Sequence, residues 1–174
     1  MSKWLLRGIV LAALMVVIRL LQGAMIGAWQ AQALIISVSL VIVFAAVCLV
    51  WGLLDGQRDA RAQEDPDRRE DLAMVWLLAG LFGGVVSGLV SWLISLVYGD
   101  IYTGGLVTEL TTFAAFTALV AFAVGVIGVA LGRWTVDRNA PEVPKHDHAG
   151  ERVDTDVFAA VSAEPTEAIT KPEA

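Results

Sequence analysis

Three stretches of this 174-residue chain carry no charged side chain: Leu20 to Leu54, Leu72 to Gly99 and Leu110 to Gly132. Each is longer than the roughly 20 residues needed to cross a hydrocarbon core of about 30 Å. Backbone N–H and C=O groups in lipid must find partners within the segment or in a closed barrel. The short alternating segments of barrel strands are missing from the sequence. The stretches therefore read as helices, and the expected fold is all-α: an integral-membrane, four-transmembrane-helix bundle.

The spans are expected at about 4–23, 33–54, 72–98 and 106–131, within a membrane domain of residues 1–138. Lys3 and Arg7 precede the first span, and Arg58, Arg61, Arg68 and Arg69 lie in the connection 55–71. Arg133 and Arg138 follow the last span, while "GAMIGAWQAQA" and "GDIYTGG", the other two connections, hold no Lys or Arg. Every cation except Arg19 thus falls on one side, which the positive-inside rule assigns to the cytoplasm together with both termini. The seven acids of the 55–71 connection do not alter this, because the rule counts cations and not net charge. The chain is expected in the cytoplasmic (inner) membrane as a multi-pass protein. Trp4, Trp51, Trp76 and Trp134 then mark the cytoplasmic ends, with Trp29, Tyr98 and Tyr102 at the other face, the headgroup level that amphipathic rings prefer. Trp92 sits deeper and is expected to pack on a neighbouring helix.

Residues 139–174 are rich in proline, acid and small side chains and read as a disordered acidic cytoplasmic tail. Its "HDH" (146–148) offers two histidines on a solvated segment, too few for a metal site of ordinary design. Cys48, the only cysteine, lies inside an apolar run and reads as a small buried hydrophobe. "AQA" (31–33) resembles a signal-peptidase site, but Arg19 and Gln22 interrupt the apolar stretch before it, so the first helix is expected to stay uncleaved.

Arg19 interrupts "AALMVVIRLLQG" (12–23). Ionisable residues inside a span are costly and are functional candidates by default. At about 1.5 Å per residue, Arg19 lies roughly 22 Å along the helix from Trp4, closer to the outer face. Glu109 opens the fourth span near that face. Arg19 is expected either to snorkel to headgroups or to meet Glu109, less readily Asp100, in a charge-assisted hydrogen bond. A lipid phosphate or an acidic partner is the third option.

The third span contains "AGLFGGVVSGLVSWLIS" (79–95). Gly80, Gly84 and Gly88 form one row at spacing four, and Gly83, Ser87, Ser91 and Ser95 form the adjacent one. Small residues let helix backbones approach closely in lipid. The fourth span answers with Thr117, Ala121 and Gly125, then Gly128 and Gly132. The rows serve helix packing within one bundle or a subunit interface, with a second copy of the chain as one such partner.

Function divides three ways. No metal-ligand cluster, activated nucleophile or phosphate-cradling loop occurs, so no enzyme, cofactor or nucleic-acid binding is expected. A small stand-alone transporter is the alternative: the small multidrug exporters are similar in size and span number. They carry an acid deep in the first helix, whereas this chain has arginine there. The third class is an accessory subunit. "MSKWLLRG", "ALMVVIRLLQG", "DPDRREDLAMVWLLAG", "SWLISL" and "ELTTFAAFTAL" resemble an actinobacterial family of four-helix membrane proteins, labelled bacterial four-span drug/metabolite-transporter relatives. Over residues 1–138 the chain is also similar to the accessory lipid-uptake subunit of mycobacterial Mce lipid importers. That resemblance implies an interaction protein in lipid or fatty-acid import across the inner membrane, contacting membrane lipids and a permease/ATPase complex.

Overall fold

A computed structural model describes residues 3–63, 65, 68–97 and 104–140. The tail from 141 onward, with "HDH", and the tip residues Tyr98, Asp100 and Tyr102 lie outside them. All regular structure among the described residues is helical: α1 (Lys3–Ala28), a single 3₁₀ turn (Gln30–Gln32), α2 (Ala33–Ala62), α3 (Leu72–Ser95) and α4 (Leu106–Asp137). All four helices are long and apolar enough to cross a membrane, consistent with a multi-pass membrane protein.

Helix ends differ from the hydropathy reading. α1 runs to Ala28 and not to about Gly23, α3 stops at Ser95, and α4 continues to Asp137. The largest difference is α2, which extends eight residues past Leu54, to Ala62. Hydropathy marks where the solvent changes, and "DGQRDARA" (55–62) includes good helix formers that need no lipid to stay helical. Asp71 caps α3 by accepting a hydrogen bond from Met74 N at 3.1 Å, which satisfies one of the orphan N–H donors at the helix start. Gly105 precedes α4 at φ 93°, a conformation that glycine adopts without the Cβ clash other residues meet.

The helices form a four-membered ring in which α1 packs on α3, α3 on α4, and α4 on α2. α1 and α2, joined by the shortest connection, close the ring as its loosest seam. Side-chain size accounts for this. Leu11, Met15 and Ile18 of α1, Phe44 and Cys48 of α2, and Trp76 of α3 fill the centre and hold α1 and α2 apart. Trp76 is a correction to the sequence reading: it is fully buried, with its ring edge-on to Trp51 at 6.3 Å, and is no interfacial anchor.

Glycine sets the tight seams. An ideal Cβ on Gly56 would lie 2.2 Å from Val129 O, and one on Gly52 would lie 2.3 Å from Gly125 O. In return, a Cβ on Gly128 would meet Leu49 O at 2.4 Å and one on Gly132 would meet Leu53 O at 2.2 Å. α2 and α4 therefore touch backbone to backbone. Gly125 serves differently, as the seat of the Trp76 ring, whose Cε3 would be 2.3 Å from its Cβ.

Because the atoms in the way are backbone, Gly132→Ala should destabilise the bundle by about 1–3 kcal/mol through overpacking. Gly27→Ala, on α1 where nothing lies within 4 Å of the added carbon, should be neutral or stabilise by up to about 1 kcal/mol. Unfolding curves in detergent for the two variants give the comparison; equal stabilities would remove the glycine seam as the determinant.

Candidate functional site: a buried arginine–glutamate pair on a π turn

The first turns of α4 are not α-helical throughout. Leu106–Thr108 is α-helical, Glu109–Phe113 is a π turn, and α-helix resumes at Ala114. The Ala114 N–H reaches back five residues to Glu109 O, and Thr111 Oγ1 donates to Val107 O at 2.7 Å. The π turn adds one residue, and one residue is about 100° of rotation. Counting back from Ala114 and Ala118, both buried, an unbroken helix would turn Leu110 or Thr111 inward. In the structure Thr111 is exposed and Glu109 is buried. The bulge therefore decides that a carboxylate, and not a leucine or threonine, faces the interior. π turns occur often at functional sites.

Arg19 meets that carboxylate in a two-pronged pair: Nη1 donates to Oε2, and Nη2 donates to Oε1 at 3.1 Å. The side chains are only 10% and 4% exposed. Phe113, on the same π turn, lies under the guanidinium, its ring centroid 4.1 Å from Cζ, close enough for a cation–π contact. Gly88 of α3 completes the site, since a Cβ there would lie 2.7 Å from Glu109 O. The last glycine of the 80–84–88 row thus lets the bulge approach α3. Arg19 lies about 24 Å along α1 from Lys3, so its long side chain carries charge to a carboxylate on the helix diagonally across the ring.

A second buried pair escaped the sequence reading, which counted Arg7 and Asp55 as flanking charges. Arg7 Nε donates to Asp55 Oδ2 at 2.8 Å, with Nη2 also 2.8 Å away, and the side chains are 9% and 7% exposed. The signal was present in the spacing. Residues 7, 11, 15 and 19 are four apart and share a face, so both arginines bracket Leu11 and Met15 on the buried stripe of α1. Asp55 likewise continues the buried face that carries Phe44, Cys48 and Gly52 on α2.

The small-residue rows are covered within the chain. Gly80 and Gly84 face the backbones of Ala118 and Ala114 on α4, whereas Gly83 faces Gly8, Leu11 and Ala12 on α1. Ser87 and Ser91 are buried, Ser87 donating to Gly84 O at 3.1 Å. Ser95, half-buried, donates to Trp92 O at 2.7 Å. Gly125 holds Trp76, as described. These residues act as internal packing surface, and the bundle's outside is made of larger apolar side chains such as Ile9, Val17, Leu34, Ile42 and Leu119.

At the charged end a clasp ties the connection 63–71 to the helix ends. Arg69 grips Asp137 with Nη1 at 2.8 Å and Nη2 at 2.6 Å. Arg133 Nε donates to Asp59 Oδ2 at 2.9 Å, and its Nη2 donates to Glu70 O at 2.7 Å. Glu70 in turn pairs with Lys3. Among the described residues, no cluster of His, Cys, Asp and Glu could hold a metal ion.

Removing one partner of a buried pair strands the other charge, at about 3–5 kcal/mol. Arg19→Met and Glu109→Leu should each destabilise the fold by that order, and the double variant by much less than their sum. A double-mutant cycle measured by unfolding in detergent tests this; additive effects would mean the two groups do not interact. No protein-family model matches the chain, and no curated protein matches it.

Proposed function

We propose that this protein is an accessory integral-membrane subunit that packs against a larger transport complex in the cytoplasmic membrane. The complex is one for lipid or fatty-acid import, and both termini of this chain lie in the cytoplasm. The observation that carries this reading is the closed interior. Both arginines of the α1 stripe are engaged by carboxylates, and both glycine rows are seated against neighbouring backbones. A carrier working alone needs a group at the bilayer midplane that can hold and release its solute, and this bundle commits its buried ionic groups to each other. Its apolar outer faces are then what it offers to lipid and to other membrane chains. The lipid-import class rests on the resemblance to the Mce accessory subunit. The orientation rests on the cations of residues 3–7, 58–69 and 133–138, which share one end of the bundle.

The stand-alone transporter remains the second reading, and one observation favours it: the α1–α2 seam is the least packed of the four. Purification in mild detergent separates the two. Permease and ATPase chains should co-elute in fixed ratio with this protein. A homodimer that carries solute in liposomes without them would overturn the accessory role.

Orientation has its own test. Cys48 is fully buried and should not react with a membrane-impermeant maleimide, so the natural chain supplies a silent background. Gln30→Cys should label in intact cells, and Arg61→Cys only after permeabilisation. The opposite pattern would invert the topology.

A further inference from the structure

Two hollows meet at Arg58. One is an open groove of about 570 Å³ along the outward face of α2, lined by Val43, Val47, Val50, Trp51 and Leu54 and ending at Arg58. The other is a cavity of about 360 Å³ at the charged end of the bundle, where Lys3, Arg7, Asp55, Arg58, Asp59 and Glu70 contribute to the wall. The three carboxylates of that wall are already engaged, Asp55 by Arg7, Asp59 by Arg133 and Glu70 by Lys3. Arg58, which is exposed, makes no hydrogen bond or ion pair among the described residues. Arg7 is paired with Asp55, but its Nη1 is buried and has no hydrogen-bond partner, so one donor on that side of the cavity is unused.

The dimensions match one class of molecule. Val43 to Leu54 covers about 16 Å of helix, close to the roughly 15 Å of hydrocarbon in one leaflet, half of a 30 Å core. Arg58 lies one helical turn further, about 6 Å beyond Leu54, where a headgroup begins. An apolar trough one leaflet long, ending at a guanidinium that feels the nearby Asp55 charge but forms no ion pair among the described residues, has the shape and the charge order of a phospholipid. We infer that this composite hollow binds one anionic phospholipid, with an acyl chain along α2 from Val43 to Leu54 and its phosphate at Arg58. The inference requires the helices to lie in a bilayer and is independent of any partner complex.

The test uses the full-length chain, delipidated in detergent and titrated separately with phosphatidylglycerol, phosphatidylcholine and inorganic phosphate, with bound adducts counted by native mass spectrometry. Phosphatidylglycerol should be retained about fivefold better than phosphatidylcholine, the order expected for one cation near an anionic lipid. Arg58→Gln should abolish that preference and Arg58→Lys should restore most of it. Val47→Trp should lower phosphatidylglycerol occupancy by filling the trough. Both positions are exposed, and unchanged circular dichroism and elution volume will show that the variants remain folded. Equal retention of the two lipids, or no effect of Arg58→Gln, overturns the inference. Saturation by inorganic phosphate that depends on Arg58 but not on Val47 also overturns it, by making the site one for a free anion. Failure to co-purify a transport complex would leave this titration unchanged, so the two proposals fail separately.

Discussion

Along the seam between α2 and α4, carbonyl oxygens occupy the space where a side chain's first carbon would have to be. The rest of the bundle follows from this constraint. In lipid, apolar side chains gain little by facing each other, so helices associate through close packing and polar contacts. Gly52, Gly56, Gly128 and Gly132 supply the close packing on one seam, and Gly80, Gly84 and Gly88 supply it between α3 and α4. Where glycine is replaced by Leu11, Met15, Phe44 and Cys48, the backbones separate and the ring opens between α1 and α2. Side-chain volume alone thus sorts the ring into tight and loose joints.

The loose joint is held at its ends. Arg7–Asp55 ties α1 to α2 near one end, and Gln22 Nε2 donates to Ser37 Oγ at 2.9 Å near the other. Arg19–Glu109 ties α1 across the ring to α4. Buried ion pairs are poor sources of net stability, because desolvation offsets much of their attraction. Their effect here is positional. The two arginines lie about 18 Å apart on one stripe of α1, on either side of the apolar centre, so a slide of one helical turn either way would break both pairs and carry one guanidinium in among apolar side chains. The axial position of α1 is therefore specified twice, at separate depths.

Much of the architecture is legible from the chain. Three charge-free runs, and an apolar run broken only by Arg7 and Arg19, mark four helices and locate their centres, because backbone polarity in lipid leaves few alternatives. Arg19 and Glu109 stand out as charges beside apolar runs, and the structure brings them into contact. Other features are hidden for identifiable reasons. The extension of α2 to Ala62 carries no hydropathy signal, since a helix in water looks like any charged segment. Trp76 sits near a span boundary where tryptophan commonly anchors, yet Gly125 forms a seat that draws it inside. Arg7 and Asp55 are masked by their nearness to the ends, although their helical spacing from core positions, four from Leu11 for Arg7 and three from Gly52 for Asp55, places them on buried faces. The partner of each glycine row is invisible to the row itself: Gly83 meets α1 while Gly84 meets α4, and only three-dimensional contact separates them.

The π turn has a consequence for how this interior tolerates change in length. A helix that holds one surplus residue can lose that residue and close into regular α-geometry, while everything after Ala114 keeps its phase. Glu109 would then stand four residues before Ala114, the place an unbroken helix turns inward, so the turn before it also keeps its phase and the acid keeps its basic counterpart. Losing a single residue between 110 and 113 thus leaves the buried charge where it is, whereas straightening the turn at full length would put Leu110 in its place. At this point in the chain the polarity of the interior is governed by arithmetic as much as by spelling.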